Sequence, residues 1–402
     1  MTRGLIDACF VVLKVFSAWF LIVALFALLP RRRLPEAQTR LRFAVLIPAR
    51  NEERCIAGIV ESLRAQRYPA ELFDIYVVPN NCTDRTAEAA LRAGARVLSV
   101  SGSVRSKGAA LGEALDHLLR CPAHYDAFCV FDADNESSET FLEAMNRTLA
   151  AGNLAAKSRI LAKNTAQGAV CACYETYFCF ANRFVNRARE RLGLSARLIG
   201  TGFAVRRELL EKLGGFRTET LTEDAEFYAV CAAQGVRIAY CEDAVTYDEE
   251  PVSFALSMRQ RLRWMSGILT VTRKKLPALL RGLTRRKSAA LCFDAAMQLT
   301  FGYVQAILPF LLLAKLLLSP GAFVSSLPYS LAGWYLGGAA SALAALLLER
   351  RLSRDALPGL LLYPLFLASF LPLETVSLFF RPRTWSVIPH TGVRLSESRR
   401  AA

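Results

Sequence analysis

Two kinds of short apolar segment alternate along residues 40–250. The run 43–47 is unbroken and ends at Pro48, as expected of a strand that is buried on both faces. The apolar residues that follow have the i, i+3, i+4, i+7 spacing of one helix face: Ile56, Ile59, Val60 and Leu63. The region therefore begins with a predicted strand followed by a predicted helix.

This alternation continues downstream. Further strands are predicted at 73–78, 96–100 and 127–131, and further helices at 83–93 and 108–119. Strands and helices at this spacing predict a mostly parallel α/β sheet. Ligands bind beyond the carboxyl ends of such strands, so the loops at Pro48, Asn80 and Asp132 are expected to converge on one crevice.

Outside this region the apolar runs are much longer. They cover residues 9–29, 289–318, 331–348 and 357–380. Each approaches or exceeds the roughly 20 residues that an α-helix needs to cross a bilayer. A composition of 53% hydrophobic and 21% charged residues agrees with membrane segments.

Positive charge beside these runs predicts their orientation. Arg31, Arg32 and Arg33 follow the first run, whereas a cleaved signal peptide carries its charge before the apolar core. We therefore interpret the first run as an anchor. Because Lys- and Arg-rich loops stay in the cytoplasm, the loops 281–287 and 350–354 and the globular region are placed on that side.

These patterns predict a multi-pass protein of the cell membrane. Its expected parts are an N-terminal anchor (1–33), a cytoplasmic α/β domain (40–250), interfacial amphipathic helices (251–288), a C-terminal transmembrane region (289–380) and a C-terminal tail (381–402).

Charge and cysteine content narrow the possible functions. The net charge of +15 is concentrated near the membrane edges, where anionic lipid headgroups attract it, so no nucleic-acid partner is expected. The eleven Cys form no CxxC pair and the three His no HExxH motif, which leaves a zinc site unsupported. The cysteines are interpreted as reduced core thiols of a cytoplasmic domain.

Two acids follow the strand that ends before Asp132. Side chains two residues apart point the same way, so Asp132 and Asp134 are expected to lie side by side. A cation between them relieves their repulsion, and oxygen ligands suit Mg²⁺ or Mn²⁺. Acids are also common in loops after strands, so the pair alone leaves a purely structural role open.

A second acidic pair, Glu223 and Asp224, stands before an amphipathic helix. One interpretation is a helix N-terminus that Thr222 caps and where acids favour the helix dipole. The other is a general base held rigidly at the helix start.

A cationic and aromatic motif precedes the membrane region. Arg263 and Trp264 suit an anchor at the bilayer interface. They equally suit a site in which Arg263 binds phosphate oxygens and Trp264 forms the floor for a sugar ring.

Taken together, these motifs resemble those of membrane-integrated family 2 glycosyltransferases, in the branch with cellulose, hyaluronan, chitin and poly-N-acetylglucosamine synthases. The resemblance covers about residues 43–267 and rests on Ile47-Pro48-Ala49-Arg50-Asn51-Glu52, Lys107-Gly108, Asp132-Ala133-Asp134, Gly200-Thr201-Gly202-Phe203, Thr222-Glu223-Asp224 and Gln260-x-x-Arg263-Trp264. It implies an inverting enzyme with a Rossmann-like GT-A fold, a UDP-sugar donor, and Mg²⁺ or Mn²⁺.

The resemblance also implies a role for each matching residue. Donor contacts are implied for Pro48, Ala49, Asn51, Glu52, Asn80, Lys107, Asp132, Gln260, Arg263 and Trp264. Acceptor contacts are implied for Gly200, Thr201, Gly202, Glu223 and Trp264. Asp134 and Asp132 are the implied metal ligands, and Asp224 is the implied base that deprotonates the acceptor hydroxyl.

One position departs from the family. After the second strand the family usually has an acid, whereas this chain has Asn80. An amide still offers an oxygen acceptor, so a contact with the base could survive, but the preference for uracil is put in doubt. The segment 247–251 resembles one found between the base and the Trp motif, and we assign it no role beyond packing or helix positioning.

The expected function is transfer of a hexose or N-acetylhexosamine from a nucleotide-sugar, UDP-linked by resemblance, to a growing glycan, giving a cell-surface polysaccharide or oligosaccharide. The alternatives are non-processive glycosylation of a membrane lipid and an inactive membrane scaffold. The expected partners are the nucleotide-sugar donor, a glycan or lipid acceptor, and membrane lipids.

The last apolar run contains residues that disfavour a plain membrane helix: Pro358, Pro364, Pro372 and Glu374. Four plain crossings would also place the basic tail from Arg381 outside the cell, against the charge rule. We therefore expect a kinked or re-entrant segment that brings Trp385 and His390 back beneath the catalytic domain. Related synthases place a C-terminal Trp-containing loop there.

Overall fold

The computed structural model describes residues 2–31, 34, 36–104, 106–380 and 390–395. The strands are β1 (Phe43–Ala49), β2 (Phe73–Pro79), β3 (Arg96–Val97), β4 (Ala127–Val130), β5 (Glu136–Ser137), β6 (Ala155–Ala162), β7 (Phe203–Arg206) and β8 (Ile238–Asp248). The helices are α1 (Thr2–Leu25), α2 (Ile56–Arg64), α3 (Thr86–Ala93), α4 (Lys107–Arg120), α5 (Phe141–Ala150), α6 (Ala169–Phe180), α7 (Ala188–Leu192), α8 (Arg207–Leu213), α9 (Glu223–Ala233), α10 (Phe254–Gly282), α11 (Ala289–Leu318), α12 (Pro320–Leu348), α13 (Leu357–Ala368) and α14 (Phe370–Phe379). A π-helical stretch, Ala181–Arg187, joins α6 to α7.

The strands form one mixed, mostly parallel sheet, which confirms the predicted fold class. Their order is β3-β2-β1-β4-β7-β6-β8-β5. Strands β3, β2, β1 and β4 are parallel neighbours, and so are β6 and β8. Strand β7 is antiparallel to both β4 and β6, and β5 is antiparallel to β8.

Strand β1 is apolar throughout because both of its faces are covered. Phe43 and Val45 point to the cluster that contains the predicted helix face of α2. Ala44 and Leu46 point to the opposite cluster, where Leu111 of α4 also packs. Successive side chains of a strand alternate between faces, so an unbroken apolar run fits a strand with a core on either side.

Two predicted boundaries were wrong for local reasons. Helix α3 begins at Thr86 rather than at Thr83, because the Thr83 amide donates to Asn51 Oδ1 (2.8 Å) and Asp84 Oδ1 accepts from the Thr86 amide (3.1 Å). The predicted strand 96–100 pairs with β2 only at Arg96–Val97. The predicted stop at Gly94 is confirmed by its left-handed φ of 95°.

Within the described residues, 4 helical segments are long and apolar enough to cross a membrane. They are Ala8–Leu28, Ala289–Leu318, Pro320–Leu348 and Arg354–Phe379. The third begins at Pro320, well before the predicted residue 331, because proline is favoured in the first turn of a helix. The interfacial region is a single long helix, α10.

Helices α11 and α12 form a hairpin that leaves the α/β domain and returns to it. At the start of α11, Cys292 Sγ lies 3.3 Å from the Ala232 carbonyl oxygen. At the end of α12, Glu349 pairs with Arg159 (2.7 Å). The two basic loops that flank the hairpin therefore lie on the same side as the domain.

The last apolar run is broken, and the chain after it returns to the domain. Helices α13 and α14 separate at Ser369, whose Oγ accepts from the buried Arg261 guanidinium (2.7 Å). Leu395 N–H donates to Glu136 Oε1 (3.0 Å), and Arg394 pairs with Glu61 (3.0 Å). A plain crossing would leave these contacts on the wrong side, so the predicted return of the tail is confirmed. The re-entrant path and the cytoplasmic side remain predictions, and Arg32, Arg33, Arg381 and Trp385 lie outside the described residues.

The return of the tail predicts the accessibility of Ser386, which lies outside the described residues. A single cysteine at Ser386, in a background without native cysteines, is expected to react with a membrane-impermeant maleimide only from the cytoplasmic side of sealed vesicles. Asp116→Cys, on the α/β domain, is the reference. Labelling of position 386 from the outside alone contradicts the return and supports four plain crossings.

Candidate active site

A crevice of about 220 Å³ opens where the predicted loops meet. Most of the predicted site residues line it: Pro48, Ala49, Glu52, Asn80, Lys107, Asp132, Asp134, Gly200, Thr201, Glu223, Asp224, Gln260, Arg263 and Trp264. Asn51 and Gly202 do not. Asn51 has a positive φ of 60° and joins two loops through Thr83, and Gly202 lies where a Cβ atom would collide with Ser158 and Thr246.

Lys107 joins three of the predicted motifs. Its Nζ lies 2.6 Å from Asp132 Oδ1 and 3.0 Å from Glu223 Oε1, and it donates to the Gly200 carbonyl oxygen (2.8 Å). Burial opposes the charge of the ammonium, but the two carboxylates outweigh it and raise the pKa of Lys107. Glu223 is only 4% exposed and lies against Lys107, and its predicted contact with the acceptor stays a prediction.

Asp224 occupies the first turn of α9 and faces the crevice. The Gly200 amide donates to Asp224 Oδ2 (2.5 Å), which fixes one oxygen of the carboxylate. The helix N-terminus favours its negative charge. Thr222 occupies the N-cap position, as the first interpretation has it, but its hydroxyl makes no capping hydrogen bond. Glu226 Oε2 accepts from the Glu219 and Thr220 amides (both 2.9 Å) in the turn before the helix.

A fully buried lysine supports the loop that holds Asp224. Lys157, on β6, donates to the Thr201 carbonyl oxygen (2.7 Å) and has 0% exposure. Burial lowers the pKa of Lys157 to about 7. The sequence analysis missed this residue, although a lysine in the otherwise small and apolar start of β6 is a detectable signal.

The acids at the end of β4 meet the returning tail. His390 Nε2 lies 3.3 Å from Asp134 Oδ2, and its Nδ1 lies 3.2 Å from Glu52 Oε2. Burial opposes the charge of the imidazole, but Asp134, Cys55 and Glu52 together raise the pKa of His390 to about 12. The imidazolium thus occupies the place where the carboxylates need a cation.

The segment 247–251 contributes more to the site than the packing role assigned to it. Asp248 lines the crevice, and its Oδ1 accepts from Asn135 Nδ2 (2.7 Å). Glu249 Oε1 accepts from the Thr391 hydroxyl (2.7 Å), and Lys163 lies 3.5 Å from Glu249 Oε2. This segment therefore holds the returning tail against the acids of the crevice.

These residues fit a divalent cation. Asp134 is only 8% exposed, and burial, reinforced by Asp132, raises its pKa. Burial also raises the pKa of Asp248, with contributions from Asp134 and Asp132. Buried carboxylates that repel one another are stabilised by a bound cation, and carboxylate oxygens are ligands that Mg²⁺ and Mn²⁺ accept. His390 would become a further ligand only by giving up the ring proton that faces Asp134.

The cationic motif reaches the crevice from α10. Arg263 Nε is buried with no hydrogen-bond partner among the described residues, which suits a phosphate ligand. Tyr174 donates to Gln260 Oε1 (2.9 Å) and packs edge-on against Trp264 at 6.2 Å. Asn80, the predicted contact to the nucleotide base, also lines the crevice, and its Nδ2 lies 3.4 Å from the Ser106 carbonyl oxygen.

The chain is similar to known proteins over the part that holds this crevice. The family described as "Glycosyltransferase like family 2" matches residues 40–267. "Probable glycosyltransferase YdaM" of Bacillus subtilis (strain 168) is 28% identical over 238 residues, covering 56% of this chain and 55% of that protein. "Beta-monoglucosyldiacylglycerol synthase" of Nostoc sp. (strain PCC 7120) is 26% identical over 249 residues, covering 59% and 51%. The chain thus spans about half the length of the curated relatives it matches.

A solved structure has a similar fold over nearly the whole chain. It is the mannosyltransferase PcManGT from Pyrobaculum calidifontis in complex with GDP-Man and Mn²⁺, with a TM-score of 0.63 and 18% identity. The similarity covers 94% of this chain and 99% of that one, so the two share a fold. The match of the family model over residues 40–267, more than half of the chain, establishes that the chain belongs to glycosyltransferase-like family 2.

Proposed function

We propose that the protein is an inverting glycosyltransferase that moves a sugar from a UDP-sugar to an acceptor hydroxyl at the membrane. The observation that carries this proposal is Asp224, held by the Gly200 amide in the same crevice as Asp132, Asp134 and Lys107. One crevice thus contains a base for the nucleophile and charged groups for a diphosphate leaving group. A purified protein in lipid should release UDP from at least one member of a panel of UDP-sugars.

The acceptor hydroxyl reacts in a single displacement. Because Gly200 N–H holds Asp224 Oδ2, Oδ1 is the oxygen expected to take the proton. The acceptor oxygen forms a bond to C1 of the sugar as the bond from C1 to the diphosphate oxygen breaks. The electron pair leaves with the diphosphate, and attack from the opposite face inverts the anomeric centre.

Positive groups receive the charge that develops on the leaving group. Lys107 and Arg263 are the side chains proposed to bind the diphosphate, and both line the crevice. Asp132 and Asp134, with His390 as a further candidate ligand, are proposed to hold Mg²⁺ or Mn²⁺, which supplies electrostatic stabilisation of the diphosphate. The ammonium of Lys107 already has three partners, so it must release one of them to donate to a phosphate oxygen.

The acceptor predicted from the sequence was a growing glycan, with a membrane lipid as the alternative. Met265 and Ile268 of α10 and Leu299 of α11 line the same crevice as Asp224 and give it an apolar end next to the membrane helices. This supports the lipid as a second candidate acceptor. The Nostoc relative is named for a glycolipid product, beta-monoglucosyldiacylglycerol, which also supports a lipid acceptor.

The donor base can be tested at Asn80. Asn80→Asp is expected to raise the affinity for UDP relative to CDP, because a carboxylate accepts a hydrogen bond from the N3–H of uracil, whereas N3 of cytosine carries no hydrogen. Competition binding of UDP and CDP to the wild type and to Asn80→Asp measures the ratio, with Asn80→Ala as the control. An equal loss for both nucleotides contradicts the assignment and indicates that Asn80 serves the loop at Ser106.

A further inference from the structure

A buried amide on a membrane helix that lines the crevice carries an oxygen without a hydrogen-bond partner in the described part of the chain. Gln298, on α11, lines the crevice and is 8% exposed. Its Nε2 donates to Asp294 Oδ2 (2.8 Å) and to Tyr228 Oη (2.6 Å). A carboxylate only accepts hydrogen bonds, so the NH₂ group must face Asp294 and the orientation of the amide is fixed. Gln298 Oε1 is then left buried with no partner among the described residues.

The carboxylate that orients this amide is itself held from several sides. Arg189 binds Asp294 with two nitrogens, Nε to Oδ2 (2.8 Å) and a terminal nitrogen to Oδ1 (3.0 Å). Trp19 of α1 donates to Asp294 Oδ1 (3.2 Å). A bidentate Arg–carboxylate pair is geometrically specific, so Asp294 stays in place, and a turned-over amide would set its oxygen against a carboxylate oxygen. Gln298 Oε1 is therefore a fixed hydrogen-bond acceptor.

Tyr228 supplies a donor beside this acceptor. It lies four residues after Asp224 on α9, and residues at this spacing share a helix face. Its hydroxyl oxygen accepts from Gln298, which leaves its own hydrogen to donate. Burial raises the pKa of Tyr228, so the hydroxyl keeps that hydrogen. A hydroxyl donor and an amide acceptor side by side match a ligand hydroxyl, which both accepts and donates.

The surrounding wall is apolar on the membrane side. Met265 and Ile268 come from α10, and Leu299 follows Gln298 on α11. An unpaired polar atom that is nine-tenths buried costs stability unless a ligand or water satisfies it. A polyhydroxyl head with an apolar tail satisfies the polar pair and the apolar wall together.

From this we infer that Gln298 and Tyr228 form an acceptor subsite for a second hydroxyl of a sugar- or polyol-headed membrane lipid, beside the hydroxyl that Asp224 deprotonates. The inference rests on the proposed sugar transfer. It predicts that the acceptor carries at least two hydroxyl groups and approaches along α10 and α11. A diacylglycerol, which has one hydroxyl, leaves the subsite unfilled.

The test uses the full chain in lipid nanodiscs with the UDP-sugar that it turns over. Three acceptors are compared: a glucosyl diacylglycerol, a dioleoylglycerol and soluble cellobiose. Gln298→Met removes the amide at similar size, and Tyr228→Phe removes only the hydroxyl. Thr300→Val is the matched control, because the Thr300 hydroxyl donates only to the Ala296 carbonyl oxygen of the same helix among the hydrogen bonds of the described residues.

The wild type is expected to prefer the glucosyl lipid. Each subsite variant should raise the KM for that lipid by about 10-fold, the effect of one lost hydrogen bond, with the KM for the donor unchanged. The KM for dioleoylglycerol should be the same in the wild type and in both variants, and Thr300→Val should behave as the wild type.

Three results overturn the subsite. They are equal use of the two lipids by the wild type, an equal loss on both lipids in the variants, or transfer to cellobiose alone. Consumption of no UDP-sugar with any acceptor is a different failure, because it removes the proposed function itself. The Tyr228→Phe variant keeps the test decisive if Gln298→Met does not fold.

Discussion

Replacing Asp224 by Asn is expected to lower turnover by about 10²-fold or more, with donor binding nearly unchanged. The amide keeps an oxygen that can accept from Gly200 N–H, so the loop should stay in place. What is lost is the group that takes the proton from the acceptor hydroxyl. Initial rates of UDP release measure turnover, and calorimetric titration with UDP measures donor binding.

The matched control is Asp116→Asn, which removes a carboxylate from a surface pair with Arg217 outside the crevice. It should keep wild-type turnover, because exposed ion pairs contribute little. Near-normal turnover of Asp224→Asn rules out Asp224 as the base. A loss of UDP binding equal to the loss of turnover assigns it a role in holding the donor.

Removal of divalent metal is expected to abolish activity, and Mg²⁺ or Mn²⁺ should restore it. In Asp134→Asn the metal concentration for half-maximal activity should rise on the order of 100-fold, because an amide oxygen binds a cation less strongly than a carboxylate does. UDP release is measured against free metal concentration for the wild type, for Asp134→Asn and for the control Asp116→Asn.

Full activity in excess EDTA defeats the metal assignment. So does an unchanged metal requirement in Asp134→Asn. In that case His390 would supply the positive charge at this position by itself, since its ring already lies 3.3 Å from Asp134.

The sheet could be predicted because its pattern is local. Buried parallel strands need apolar residues on both faces, and the sequence of β1 is an unbroken apolar run. The antiparallel strand β7 could not be placed in the same way. It enters between β4 and β6 through contacts distant in sequence, and no local pattern encodes which strands it joins.

The acidic motifs were also visible, because Asp132 follows a predicted strand and Glu223 begins a predicted helix. The parts that escaped prediction depend on the tertiary path of the chain. The role of Lys157 depends on its hydrogen bond to the Thr201 carbonyl oxygen, and this partner is distant in sequence. The sequence around Gln298 is that of an ordinary membrane helix. Its place beside Tyr228 follows only from the packing of α11 against α9.

The central claim is tested most directly by the anomeric configuration of the product. The full-length protein in lipid is incubated with an α-linked UDP-sugar, Mg²⁺ and a lipid acceptor, and the purified glycoside is analysed by proton NMR. A single displacement assisted by Asp224 predicts a β-linked product and one UDP released per sugar transferred. An α-linked product, or no transfer from any UDP-sugar in the panel, contradicts the account.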